Sequence, residues 1–212
     1  MKLKKSFYRI RLGILILSLA GLWACSGGGG NTTSSGGSGA PGTGGTGSGA
    51  GSGTLTVNLT DSPFSEAKAV LVTFSEVQVH HSGSGWITVP FASGNPSRTC
   101  DLKKLAGVQD VLGVGSLPSG HYTQIRLVIT QSTLYFDNPS GASACGAIIL
   151  SPLGQNAPLE ISSGEIKLNR EFDLAAGGST SMLLDLDGDK SIHKTGNDRY
   201  LMNPVISVVN VQ

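Results

Sequence analysis

The chain has 212 residues, with 15 Lys and Arg against 14 Asp and Glu and a formal net charge of +1. Five of the basic residues (Lys2, Lys4, Lys5, Arg9 and Arg11) stand at the very start, so the remainder carries ten basic against fourteen acidic residues, a net charge of −4. A mildly acidic domain lacks the basic patch of a nucleic-acid binder, which excludes that class of partner.

The basic start leads into an apolar run, Leu12 to Cys25, that ends in Leu22-Trp23-Ala24-Cys25. Its apolar centre of about ten residues would cover roughly 15 Å as a helix, against a hydrocarbon layer about 30 Å thick, so it is too short to span a membrane. Basic residues, a short apolar stretch and a small residue directly before a cysteine make the layout of a secretory signal. The stretch resembles the lipobox of bacterial lipoproteins. That resemblance implies a signal peptide over residues 1–24, cut off before Cys25, and acyl chains (palmitate among them) on the Cys25 thiol and new amino terminus. Two or more chains hold a protein stably on a membrane where one chain binds only marginally. Ser26 in the next position is compatible, by the same resemblance, with the outer membrane of a Gram-negative envelope. An ordinary signal peptide cut elsewhere is the other reading of this run.

From Ser26 to Gly53 the chain is almost only Gly, Ser and Thr, with one proline and no charge. Nothing in it can form a core. With Cys25 it reads as a tether over residues 25–53, a flexible coil spanning about 30 Å on average and roughly 90 to 100 Å when extended. Residues 54–212 are long enough to form a domain that buries about 70% of its unfolded surface.

In that domain the hydrophobic period is two. Leu55, Val57 and Leu59 alternate with polar residues and predict a strand closed by Asp61-Ser62-Pro63. A second strand is predicted from Ala69 to His80, with Val70, Val72 and Phe74 on one face, Val77 and Val79 on the other, and a bulge near Ser75-Glu76. A hairpin at Ser82 to Gly85 leads into Trp86 to Pro90. Leu102, Leu105, Val108 and Leu112 fit two or three helical turns, the one helical pattern in the domain. Leu117-Pro118-Ser119-Gly120-His121-Tyr122 is a turn followed by a strand with Ile125, Leu127 and Ile129 inward, and Tyr122 is placed to donate its hydroxyl back to the turn, as in a tyrosine corner. Strands are expected at Ala147 to Leu150, near Leu159 to Ile161, at Glu165 to Leu174, at Thr180 to Leu186 and at Tyr200 to Val211. The fold expected is all-β, an antiparallel β-sandwich of transthyretin-like or immunoglobulin-like Greek-key type with at most one short helix.

Three cysteines are an odd number for an exported chain until Cys25 is assigned to lipid, which leaves Cys100 and Cys145 as one disulfide in an oxidising compartment. Two buried free thiols are the alternative.

The Leu-Pro-x-Gly-x-Tyr turn resembles that of transthyretin-like and collagen-adhesin B-type sandwich domains. A larger set of segments goes further: Leu55-Thr56-Val57 with Thr60 to Pro63, Leu117 to Leu127, Leu184 to Asp187 with Ser191-Ile192, and Asn203 to Ile206. In this order, behind a lipobox, they are similar to a bacterial lipoprotein family catalogued as a domain of unknown function, number 4382. The resemblance implies a β-rich exported domain and brings no catalytic residues.

One polar cluster stands out, Asp185-Leu186-Asp187-Gly188-Asp189, followed by Ser191, His193, Asn197 and Asp198. In a continuous strand Asp185, Asp187 and Asp189 would share a face, where calcium could collect three oxygens, although the EF-hand glycine and closing glutamate positions hold Lys190 and Gly196. The competing reading is a solvated strand end with an Asp-Gly turn. His80, His81, His121 and His193 lack zinc-ligand spacing. Residues 54–212 hold no Gly-x-Ser-x-Gly elbow. Glu66, Glu76, Glu160, Glu165 and Glu171 read as outer strand faces, with a glycosidase-type carboxylate pair left open. Trp86 and Tyr135 could stack on sugar rings, with Trp86 expected in the core. The sequence therefore predicts a lipid-anchored envelope module that binds or assembles without catalysis, its partner an envelope protein or a glycan. An envelope hydrolase and a calcium-stabilised structural domain are the alternatives.

Overall fold

The computed structural model describes residues 51–141 and 143–212, and the signal peptide, Cys25 and the tether up to residue 50 lie outside the described residues. The strands in chain order are β1 (Ser52–Ser62), β2 (Ala69–His81), β3 (Gly85–Val89), β4 (Arg98–Asp101), β5 (Asp110–Pro118), β6 (Gly120–Tyr135), β7 (Cys145–Gly146), β8 (Asn156–Glu160), β9 (Glu165–Leu174), β10 (Ser179–Asp187), β11 (Ile192–Lys194), β12 (Tyr200–Met202) and β13 (Ile206–Val211). A 3-10 turn over Leu102–Leu105 and a four-residue helix, α1 (Gly188–Ser191), interrupt them.

Two sheets pack as a sandwich. The smaller has the order β13-β10-β1-β5, and the larger the order β11-β12-β8-β6-β2-β4-β7, with β3 also on β2 and β9 also on β6. The long strands β2 and β6 form the spine of the larger sheet, β2 pairing also with the short β3 and β4, and β6 with the short β8 and the ten-residue β9. Most pairings are antiparallel, as the sequence predicts, but β10 runs parallel to β1 and β12 parallel to β8. The β1–β10 direction follows from the entry point. The Thr54 amide donates to Gly178 O (2.9 Å) and the Gly177 amide to Ser52 O (2.8 Å), so both strands start from the same end.

Period-two patterning sorts the core. Leu55, Val57 and Leu59 of β1 are fully buried and meet Val70, Val72, Phe74, Val77 and Val79 of β2 in one cluster. Strict alternation would send Val77 and Val79 outward. The β2–β6 register shifts at Thr73/Phe74 and again at Phe74/Glu76, so the extra residue returns the strand's later valines to the same core. The bulge is where the sequence places it, and the assignment of the two valine sets to opposite faces is corrected.

The helical pattern after Cys100 is also corrected. Asp101 accepts the Lys103 amide (3.1 Å) and caps a single 3-10 turn that buries Leu102 and Leu105. The chain then turns at Gly107, whose φ of +69° suits glycine, leaves Val108 exposed, and enters β5 with Leu112 buried. Residues 147–150 form no strand. The last strand is broken at Asn203-Pro204-Val205, so β12 joins the larger sheet and β13 the smaller. Cys100 and Cys145 face each other across β4 and β7 and form the disulfide, with Cα atoms 4.1 Å apart.

The turn before β6 behaves as a tyrosine corner. Tyr122 is fully buried, stacks on Phe172 with centroids 5.0 Å apart, and donates its hydroxyl to Pro118 O at 2.7 Å. Burial pushes the phenol above its ordinary pKa, so it stays a donor at neutral pH. Tyr122→Phe keeps the stack and removes the bond, and is expected to cost about 1–2 kcal/mol, or roughly 3–6 °C in melting temperature. Thermal and urea unfolding of the variant check this, and an unchanged midpoint would contradict it.

Candidate functional site

The chain enters β1 at one end of the sandwich, where Ser119 donates its amide to Gly51 O (2.8 Å) beside the start of β6. β6 then runs 16 residues to Tyr135, roughly 50 Å at the usual rise per residue. The polar and exposed apolar features of interest collect at that far end.

A strap formed by residues 146–155 crosses the outer face of the larger sheet there. It is fixed at its start by the Cys100–Cys145 disulfide and stapled by Ile149, which is buried against Ala69, Leu71 and Tyr135. Ile148 and Leu150, on either side of the staple, are 81% and 82% exposed, and Leu153 is 84% exposed. Among the described residues no backbone-to-backbone hydrogen bond joins the strap from Ala147 to Ser151. Alternating Ile148, Ile149 and Leu150 thus carry the side-chain pattern of a strand without a ladder partner, which explains why the sequence predicts a strand at 147–150. Between strap and sheet lies a groove of about 270 Å³ whose floor includes Thr73, Thr99, Gln131, Thr133 and Tyr135. It holds hydroxyl, amide and apolar groups and no charge.

On the other side of the strap, Phe136 lines a second hollow with Gln155, Asn156, Lys194, Asp198 and Tyr200. The Gln155 amide donates to Asp137 Oδ2 (2.6 Å) and Phe136 donates its amide to Gln155 O (3.0 Å), so β6 and the strap hold this wall in place. The opposite wall is the β11–β12 hairpin. Its turn places Asn197 and Asp198 at φ of +64° and +55°, a conformation these two residue types tolerate better than other side chains.

The aspartate run does not form the three-carboxylate face expected of it. β10 ends at Asp187, and α1 rotates Asp189 away, where its Oδ1 accepts the Ser65 amide (2.7 Å). Asp187 caps α1 by accepting the Lys190 amide (3.0 Å) and pairs with Lys190 Nζ (2.6 Å), which holds its carboxyl below the usual range. Gly188 is required at this join, because a Cβ there would lie 2.6 Å from Phe64 N. Among the described residues no group of three His, Cys, Asp or Glu side chains is arranged to hold a metal ion. Among the described residues Asp185, Asp187 and Asp189 are not brought together as one donor set.

Asp61, which the sequence places in a closing turn, belongs to β1 instead. It sits in β1 beside β10, is 3% exposed, and neither carboxyl oxygen has a hydrogen-bond partner. The Gly188 amide approaches it without reaching hydrogen-bond geometry, and Lys103 is held instead on Phe64 O (2.8 Å). Burial first, then the charges of Asp185 and Asp187, push the Asp61 carboxyl up to about 8. Asp101 shows the contrast: equally buried, it accepts from the amides of Val70 and Lys103 and from the Ser140 hydroxyl.

The remaining candidates are dispersed. His80 meets Thr123 (3.1 Å), the His81 Nδ1 accepts the Gly83 amide (3.1 Å), His121 pairs with Asp173 (2.9 Å), and His193 is exposed. Glu66, Glu76, Glu160 and Glu171 are exposed, and Glu165 pairs with Arg126 and Lys167. Trp86 is not in the core. Its β3 position opposite His80 turns it to the outer face, where the Arg126 guanidinium covers it 4.3 Å from the ring centre.

Residues 52–204 match the sequence profile of the family described as Domain of unknown function (DUF4382). The chain belongs to that family. The matched region begins with the first residue of β1 and ends at the Asn203-Pro204 break, so β13 lies beyond it. No curated protein and no solved structure matches the chain.

Asp61 yields a signed prediction. A folded-state pKa near 8 against an unfolded value of 3.8 means folding takes up a proton. Its contribution is fully present below about pH 4 and is lost on the way to pH 8, at about 1.4 kcal/mol per pH unit for one proton. Asp61→Asn is expected to gain stability over the wild type progressively from pH 5 to pH 8. Denaturation at several pH values measures this, and a pH-independent difference would contradict it.

Proposed function

We propose that this chain is a lipid-anchored cell-envelope β-sandwich, held at the outer membrane through Cys25, that acts as a non-catalytic binding or assembly module for an envelope protein or glycan. The observation that carries the reading is the separation of the two ends. The tether joins β1 at one end, while the groove, the exposed strap residues and the second hollow lie about one β6 length away. A module tethered in this manner offers its far end to whatever the membrane faces. Exposed apolar residues clustered beside a polar groove are the usual composition of a contact surface.

A hydrolase would need a catalytic acid, and the raised pKa of Asp61 is of the kind seen in such groups. Its carboxyl is sealed from solvent, however, so no substrate atom reaches it. The calcium reading lacks a donor group among the described residues.

Two outcomes are expected. Cys25→Ser releases the protein from membranes and abolishes palmitate labelling, and a variant that keeps its label would contradict the anchor. Incubated with envelope polysaccharide or peptide, the full chain retains ligand and releases no reducing ends or new amines. Turnover that disappears in Asp61→Asn would overturn the binding reading in favour of the hydrolase.

A further inference from the structure

We infer that the hollow between β6, β8 and the β11–β12 hairpin is a saccharide subsite that takes one neutral pyranose ring of an envelope glycan. This deepens the binding-module reading and rests on it. The cavity is about 240 Å³, below the volume usual for drug-sized ligands and suited to one ring. Its lining includes Phe136 and the largely buried Tyr200, whose rings have centroids 5.5 Å apart and planes tilted by 38°, with Lys194 Nζ 5.8 Å over the Tyr200 ring. Phe136 is half-buried and so keeps an open part for the C–H face of a sugar.

The rim carries the matching polar groups. Gln155 and Asn156 are exposed amides, each with a donor and an acceptor side, which is what a sugar hydroxyl requires of its partner. Asn156 spends one donor on Gly154 O (3.2 Å), and its carbonyl oxygen is left for a ligand. Among the described residues none hydrogen-bonds the Tyr200 hydroxyl or the Gln155 side chain. Lys194 and Asp198 complete the rim as an ion pair 2.8 Å apart. That pairing decides the ligand's charge. A lone lysine would favour phosphate or a uronic acid, whereas the paired site adds one cationic donor and one anionic acceptor with no net charge.

The test uses the full chain in detergent micelles and saturation-transfer NMR with two probes, a glucose tetrasaccharide and an N-acetylglucosamine tetrasaccharide, at about 10 mM. Transfer to at least one probe is expected. Gln155→Ala with Asn156→Ala removes two exposed side chains and is expected to weaken binding roughly tenfold or more at an unchanged melting temperature. Tyr200→Phe, which deletes only the hydroxyl, is expected to weaken it a few-fold. No transfer from either probe, or transfer that the double variant leaves unchanged, overturns the saccharide assignment. Engagement of the strap side by a protein partner is a separate readout, so the binding-module reading can survive that failure.

Discussion

The far end of the sandwich depends on one buried carboxylate. Asp101 is fully enclosed, and a buried charge costs several kcal/mol unless its oxygens are satisfied. Here the donors come from three separate segments: the Val70 amide where β2 begins, the Lys103 amide of the 3-10 turn, and the Ser140 hydroxyl of the loop after β6. The next residue back, Cys100, is bonded to Cys145 and so clamps the strap at the same place. In the chain-entropy account such a bridge is worth about 4 kcal/mol, with native strain and residual denatured structure reducing it. The groove and the staple at Ile149 hang from this pair of adjacent residues.

Asp61 and Asp101 are equally buried carboxyls set among opposite neighbours. Asp101 lies among donors and Asp61 among acceptors, with Asp185 and Asp187 for neighbours. The upward push on the Asp61 pKa thus follows from bringing β10 parallel to β1. That pairing sets the end of β10, with its capping aspartates, directly beside the end of β1.

Local pattern carried most of the fold. Alternation gave β1, β2, β6, β9 and β10 because one face of each strand is buried, and the Pro118 to Tyr122 turn was readable because proline, glycine and tyrosine each have a specific task there. Errors arose where tertiary contacts override the local pattern. Leu102, Leu105, Val108 and Leu112 have helical spacing, yet Gly107 divides them between a turn and a strand. Ala147 to Leu150 has the composition of a strand and no neighbour to pair with. The aspartate triplet looked continuous because a four-residue helix directly after β10 leaves no periodic signal. Phe136, Gln155 and Tyr200 come from three distant segments, and no single stretch of sequence announces their meeting.

In the proposed reading the end remote from the β1 entry is the working face. In-cell photo-crosslinking of the full-length chain tests it most directly, with a photoreactive residue placed in turn at Ile148, Leu150 and Leu153 and, for comparison, at Ser119 and Ala176 beside the tether's entry. Discrete adducts from the strap positions, with none of the same size from the entry positions, are the predicted result. Adducts confined to Ser119 and Ala176, or equal labelling at both ends, would contradict a working face at the far end.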